Sequence, residues 1–459
     1  MKTKTAPQAG ATVGVISLGC AKNLVDSEHL IASLLRAGLT LTPDPDKADL
    51  LLINTCAFIH DAREEAIDAV LEACRRKEKG ICRGVIVTGC LPQRYRQQLV
   101  RAIPEADAFL GLDALDRVGD IALRILRGEG PIRDIPETAE RLFEPGSRRV
   151  VLSGGPYAYI KIAEGCDHRC GFCAIPGIRG RHRSRSIDSL AAEAEDLLGR
   201  GIRELNLISQ DTTHYGRDRS DGADLPALLQ RLGRIGGRFW IRVLYGYPTG
   251  ITDRLLETMG SIPQVCRYLD VPVQHCDPAV LRAMRRGGTI RAVAELPARA
   301  RARLPGVVLR TTCLVGHPGE TEAAFGRLVA YVKESAFDHL GVFAFSPEEG
   351  TPAAGLRSRP RAATAERRRE ALLDAQQAVL DSQAPALIGA RDELLVEKAA
   401  ERAGGRVQGR TRRQAPEVDG HTLAAGAARA KPGTWLSINY SARRGIDWLA
   451  AGGEGGSTR

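Results

Sequence analysis

The chain has 459 residues, 43% hydrophobic and 26% charged, the balance of a folded soluble protein rather than a disordered or membrane-embedded one. No apolar run reaches the roughly 18 residues of a membrane helix, and MKTKTAPQAG lacks a signal peptide's apolar core, so a cytoplasmic protein is expected. A formal charge of +10 favours an acidic or nucleic-acid-rich partner, and eleven scattered cysteines argue against a disulfide framework and for metal or redox chemistry.

Residues 11–115 alternate strand and helix. TVGVISLGC, ADLLLINTC and RGVIVTGC read as strands, and SEHLIASLLRAG and REEAIDAVLEACRRKEKG as helices, the pattern of a small parallel α/β domain. Residues 116–150 read as a linker. A second βα series fills 151–385: AYIKIAEGC, RELNLISQD, FWIRVLYGYP, YLDVPVQH, VVLRTTCLVGHPG and HLGVFAFS are six strand candidates. Six βα units in one run predict a partial (βα)6 barrel with its chemistry at the C-terminal ends of the strands. An arginine- and alanine-rich helix spans about 361–387. Short apolar alternations then predict a small antiparallel β-barrel over 386–452, and 453–459 reads as a disordered tail.

Three cysteines, Cys166, Cys170 and Cys173, fall in the loop after AYIKIA, on the edge where an α/β barrel carries its active site. Three thiolates suit zinc or an iron–sulfur cluster. A structural zinc site requires a fourth ligand, for which His182 is the candidate. A four-iron cluster held by three thiolates instead leaves one iron open to a small chelating molecule. Cys20, Cys56 and Cys90 each close a predicted strand. In a parallel sheet those ends share one edge, so three distant thiols are expected to converge there. Against this stands the ordinary tendency of free cysteine to be buried. Cys74, Cys82, Cys266, Cys276 and Cys313 show no ligand spacing and read as structural.

Cys-x3-Cys-x2-Cys with Phe172 before the last cysteine resembles the radical S-adenosylmethionine superfamily. Taken with SLGCAKNLVDSE (17–28), NTCAFI (54–59), TGCLPQRY (88–95), LISQDTTHYG (207–216), VPVQHCDPAVLRAMRRG (271–287) and SPEEGTPA (346–353), it resembles the methylthiotransferases. VQGRTRRQAPEVDG (407–420) is similar to part of a TRAM domain. AIPGIRG and ISQDTTHYG resemble the branch acting on a ribosomal protein, and the alternative is the branch that methylthiolates a modified adenosine in transfer RNA. His317 and Ala21 depart from the family's usual aromatic and proline.

The resemblance implies two [4Fe-4S] clusters and S-adenosyl-L-methionine, one cluster on Cys166, Cys170 and Cys173 and an auxiliary one on Cys20, Cys56 and Cys90. The first would generate an adenosyl radical and the second would supply the sulfur. Phe172, Gln210 and Gln274, with Asp211 and His275, are candidates for lining the S-adenosylmethionine pocket. No catalytic residue is assigned beyond the cluster ligands. The implied substrate is an aspartate β-carbon of ribosomal protein S-twelve, within the ribosome or an assembly intermediate. A flavodoxin- or ferredoxin-like reductant, no membrane partner and a monomeric state complete the expectation.

Overall fold

The structure, a computed structural model, describes residues 10–142, 149–402, 404–427 and 429–452. The tail expected to be disordered, 453–459, lies outside the described residues. The chain divides into two compact units. The first holds residues up to 152 together with 163–185 and 348–351, and the second holds 153–162, 186–347 and the chain from 352 onward.

The first unit is built on β1 (Thr12–Ser17), α1 (Ala21–Arg36), β2 (Thr40–Leu41), β3 (Leu50–Thr55), α2 (His60–Glu78), β4 (Gly84–Gly89), α3 (Cys90–Ala102), β5 (Ala108–Leu110), α4 (Val118–Leu126) and β6 (Ile132–Asp134). Its six strands lie in the order β2-β1-β3-β4-β5-β6, all parallel. LLLINT and GVIVTG are apolar runs buried along their whole length because both faces of the sheet are covered. Alternate residues take opposite sides: Leu51, Ile53, Val85 and Val87 join one core, Leu50, Leu52 and Ile86 the other. The stretch 116–150, linker-like in composition, carries α4, with Val118, Ile121 and Ile125 buried, and the sheet's sixth strand.

In the second unit β7 (Tyr157–Lys161) leads into the cysteine loop, which folds with the first unit. There β8 (Ala163–Glu164), α5 (Ile175–Arg179) and β9 (Arg183–Ser184) follow, and β8 pairs antiparallel with β9. The second unit resumes with α6 (Ile187–Gly199), β10 (Glu204–Ile208), α7 (Leu225–Gly233), β11 (Trp240–Val243), α8 (Asp253–Ser261), β12 (Tyr268–Asp270), α9 (Pro278–Ala283), α10 (Ile290–Arg303), β13 (Val308–Val315), α11 (Glu322–Ser335) and β14 (His339–Ala344). β7, β10 and β11 form one parallel sheet and β12, β13 and β14 another; a parallel bridge from Ile241 of β11 to Val265, just ahead of β12, and Gly246 N donating to Asp270 O at 2.8 Å join them. Neighbours in space are neighbours in sequence, which is the open (βα)6 arrangement expected.

A long helix, α12 (Ala362–Leu387), precedes β15 (Arg391–Lys398), β16 (Val407–Arg410), β17 (Thr422–Ala425), β18 (Trp435–Arg444) and β19 (Asp447–Gly452). These five close into a barrel in the order β15-β16-β17-β19-β18. Its ladders are antiparallel except β17 with β19, which run parallel, so the barrel is mixed rather than wholly antiparallel. It is joined to the N-terminal ends of the six parallel strands. Arg410 reaches Glu204 at the start of β10, and Asp419 accepts from Tyr268 at the start of β12 and pairs with Arg310 of β13 and His339 of β14. Trp240 and Trp435 meet edge to face with centroids 4.7 Å apart. The opposite ends of the strands are thus left for chemistry.

Candidate metal centres

Cys20, Cys56 and Cys90 follow the C-terminal ends of β1, β3 and β4, three strands adjacent in the sheet. Register aligns them: Ser17 pairs with Asn54, and Thr55, beside Cys56, pairs with Gly89, beside Cys90. Cys20 caps α1 and Cys90 opens α3. Two glycines permit the approach. Gly19 has φ +94° and a Cβ there would lie 2.8 Å from Cys56 Cβ, while at Gly89 (φ +98°) it would lie 2.4 Å from Asn54 Oδ1.

The polar groups beneath this edge are buried and bonded. Asn23 Nδ2 donates to Leu18 O and Thr55 O at 2.8 and 2.9 Å, and Asn54 Nδ2 donates to Asn23 O and Ser27 Oγ at 2.9 and 2.8 Å. Arg179, with its side chain only 2% exposed, donates to Asn23 Oδ1 at 2.8 Å and Asp26 Oδ2 at 2.9 Å, and lies 3.5 Å from Cys90 Sγ. Burial opposes ionisation of Cys20, but the charges of Lys22 and Arg179 and the N–H groups of Asn23 and Lys22 outweigh it and lower its pKa. Burial dominates at Cys56, raising it, and pushes Cys90 up to about 12 despite Arg179. Cys20 adds to the rise at Cys56, and Cys56 and Cys20 add to that at Cys90, as like charges gathered in one place do.

The second triad lies in the same unit. Cys166 N donates to Gly180 O at 3.1 Å and Cys173 N to Cys170 O at 3.2 Å, winding the loop back on itself above the β8–β9 ribbon. Gly165 (φ +72°) is tightly enclosed: a Cβ would fall 2.0 Å from Arg181 O. Cys170 is buried, and Cys166, Cys173 and Phe172 are partly exposed. Asp167 accepts from His182 N at 3.0 Å and pairs with Arg181, a loop-stabilising role. His182, the zinc reading's fourth ligand, is buried and engages Ser184 Oγ through Nε2 at 3.0 Å. Both donor sets are three sulfurs on a glycine-shaped backbone, and they fit a thiolate-held cluster.

In the second unit Gln210 and Gln274 lie beyond the C-terminal ends of β10 and β12. Gln274 has φ +68°, a left-handed conformation unusual outside glycine, and is held by Gln274 N to Thr312 O and Leu314 N to Gln274 O, each 2.8 Å. His275 is fully buried, with Nδ1 accepting from Asp277 N at 2.9 Å and Nε2 lying 3.4 Å from Glu320 Oε1. Asp211 accepts from Thr213 N and Oγ1 at 3.0 and 2.6 Å, capping the turn that follows β10. Sequence reasoning missed Asn23, Asp26 and Arg179. Their positions inside SLGCAKNLVDSE and AIPGIRG were the available signal. Among the other cysteines Cys74 and Cys82 belong to a hydrophobic core of the first unit, and Cys266 and Cys313 are fully buried.

Comparisons with known proteins agree with this architecture. The family model described as Uncharacterized protein family UPF0004 matches residues 12–111, and that of the Radical SAM superfamily matches 160–332. The class is therefore that of the radical S-adenosylmethionine enzymes, which implies S-adenosylmethionine and a [4Fe-4S] cluster. Among solved structures, the radical S-adenosylmethionine methyltransferase TsrM from Kitasatospora setae is alike in fold, with a TM-score of 0.56, 17% identity and coverage of 77% of this chain and 78% of that one. The cobalamin-dependent S-adenosylmethionine radical enzyme OxsB also matches, with a TM-score of 0.52, 12% identity and coverage of 81% and 56%.

Relatives in sequence are far more similar. Ribosomal protein uS12 methylthiotransferase RimO of Syntrophus aciditrophicus is 44% identical, covering 96% of this chain and 98% of that protein. The protein of the same name from Heliobacterium modesticaldum is 43% identical, with 95% and 94% covered. The chain belongs to the RimO methylthiotransferase family.

Proposed function

We propose that this protein is a radical S-adenosylmethionine methylthiotransferase that adds a methylthio group to the β-carbon of an aspartate in ribosomal protein uS12. The observation that carries the reading is the presence of two cysteine triads in one compact unit within a chain 44% identical to a uS12 methylthiotransferase over nearly its whole length. Cys166, Cys170 and Cys173 would hold the cluster at which S-adenosylmethionine is bound, and that cofactor supplies a radical able to take hydrogen from an unactivated carbon. Cys20, Cys56 and Cys90 would hold the auxiliary cluster and the sulfur. Gln210, Gln274 and Phe172 would contact S-adenosylmethionine, with the bonds at Thr312 and Leu314 fixing the Gln274 backbone.

Among the described residues no helix is long and apolar enough to cross a membrane. The protein is read as a cytoplasmic monomer that takes electrons from a flavodoxin- or ferredoxin-like partner and meets uS12 on the ribosome or on an assembly intermediate. The net charge of +10 suits a target surrounded by RNA phosphate. The test is intact-mass analysis of uS12 after anaerobic incubation with the reconstituted protein, reductant and S-adenosylmethionine. A mass gain of one methylthio group is expected. An unmodified uS12 alongside methylthiolated adenosine in transfer RNA would assign the protein to the other substrate.

A further inference from the structure

Arg179 lies in α5, downstream of Cys173, yet its guanidinium faces the N-terminal cysteine triad. Nη1 donates to Glu164, 3.2 Å from Oε2 and 3.4 Å from Oε1. Glu164 stands two residues before Cys166. Nη2 donates to Asn23 Oδ1 and Asp26 Oδ2 at 2.8 and 2.9 Å and reaches Cys90 Sγ at 3.5 Å. One fork thus ties the flank of one cysteine loop to a thiol of the other triad. Glu164 and Asp26 already balance its charge. A purely structural arginine needs nothing more, so the approach to sulfur is an additional contact.

An N–H donor aimed at a ligating sulfur draws electron density from it and stabilises the reduced, more negative form of an iron–sulfur centre. With little solvent to screen it, a neighbouring guanidinium acts in the same direction. We propose that Arg179 is a positioning residue that raises the reduction potential of the centre held by Cys20, Cys56 and Cys90, through its N–H···S bond to Cys90. The inference rests on the auxiliary-cluster reading above. It assigns to AIPGIRG a role beyond shaping its own loop.

The test uses the full chain carrying Cys166→Ala, Cys170→Ala and Cys173→Ala, so that only the auxiliary centre contributes, reconstituted anaerobically and titrated by EPR-monitored redox titration. Two changes are added separately to this background. Arg179→Met with Asp26→Asn removes one charge of each sign and the donor to sulfur. Arg179→Lys keeps the charge and the pairing with the carboxylates but loses the planar fork that also reaches Cys90, and it serves if the double change prevents assembly. A shift to lower potential is expected in both, larger in the double variant, with iron content per chain unchanged. An assembled variant that titrates at the potential of the background overturns the role of Arg179 and leaves the second centre standing. A background that binds no iron overturns the second centre and this inference with it.

Discussion

Arg410 of β16 donates to Glu204 at the start of β10 across 206 residues of sequence, and neither side chain is exposed to solvent. Glu204 also accepts from Arg242 Nε at 2.7 Å, and Arg410 Nε pairs with Glu397 Oε1 at 2.7 Å, so a buried chain of alternating charge joins the C-terminal barrel to the base of the βα barrel. Breaking such a pair strands a charge, a cost of about 3–5 kcal/mol. Arg410→Met is therefore expected to lower the thermal unfolding temperature well below that of the parent. The scan should be compared with Arg444→Met at the exposed end of β18, which is expected to leave it unchanged.

Acid sensitivity follows from the same groups. Burial raises the carboxyl pKa of Glu204, but Arg410 and Arg242 outweigh it and hold it below the usual range. Burial likewise opposes ionisation of Asp419, and His339, Arg310 and the Tyr268 hydroxyl bring it below normal. A depressed folded pKa contributes stability that is present above the unfolded value of roughly 4 and is lost as pH falls through the folded value. Glu204→Gln should be less stable at neutral pH and should lose less on acidification below about pH 4 than the parent does. Parallel losses in denaturant melts at the two pH values would remove Glu204 from the acid response.

Gly165 and Gly89 allow the two triads to be disabled one at a time. A side chain at Gly165 collides with Arg181 O, and one at Gly89 collides with Asn54 Oδ1 and Thr55 O, both at left-handed φ. Gly165→Ala should lose iron from the loop at Cys166 while keeping the strand-edge centre, and Gly89→Ala should do the reverse. Iron and sulfide analysis, with EPR signals assigned from the cysteine variants, reads both.

The two cysteine triads are expected to separate in function. Cys166→Ala should abolish reductive cleavage of S-adenosylmethionine as well as uS12 modification. Cys56→Ala should abolish methylthio transfer yet retain part of the cleavage. Chromatography of 5′-deoxyadenosine and mass analysis of uS12 from the same reaction read the two steps.

The convergence of Cys20, Cys56 and Cys90 on one sheet edge was legible because strand ends in a parallel sheet share an edge, and β1, β3 and β4 are neighbours. The six-stranded series was legible from its repeated βα period. Arg179 was not. Its bonds to Asn23 and Asp26 span 156 and 153 residues, and nothing local distinguishes it from the exposed Arg181 beside it. β6 escaped because a three-residue strand among polar residues carries too short a pattern to detect, although the buried stripe of α4 was present in VGDIALRIL. The parallel pairing of β17 with β19 depends on β18 intervening in sequence while lying on the far side of β19 in space, which periodicity does not encode.

The central claim is that one chain holds two iron–sulfur clusters on two cysteine triads. Mössbauer spectroscopy with iron and sulfide analysis of anaerobically reconstituted protein tests it most directly, comparing the parent with Cys56→Ala and Cys166→Ala. Two clusters' worth of iron and sulfide in the parent, and one in each variant, is the expected result. A parent with a single cluster, or with zinc in place of iron, or a Cys56→Ala variant as iron-rich as the parent, would contradict it.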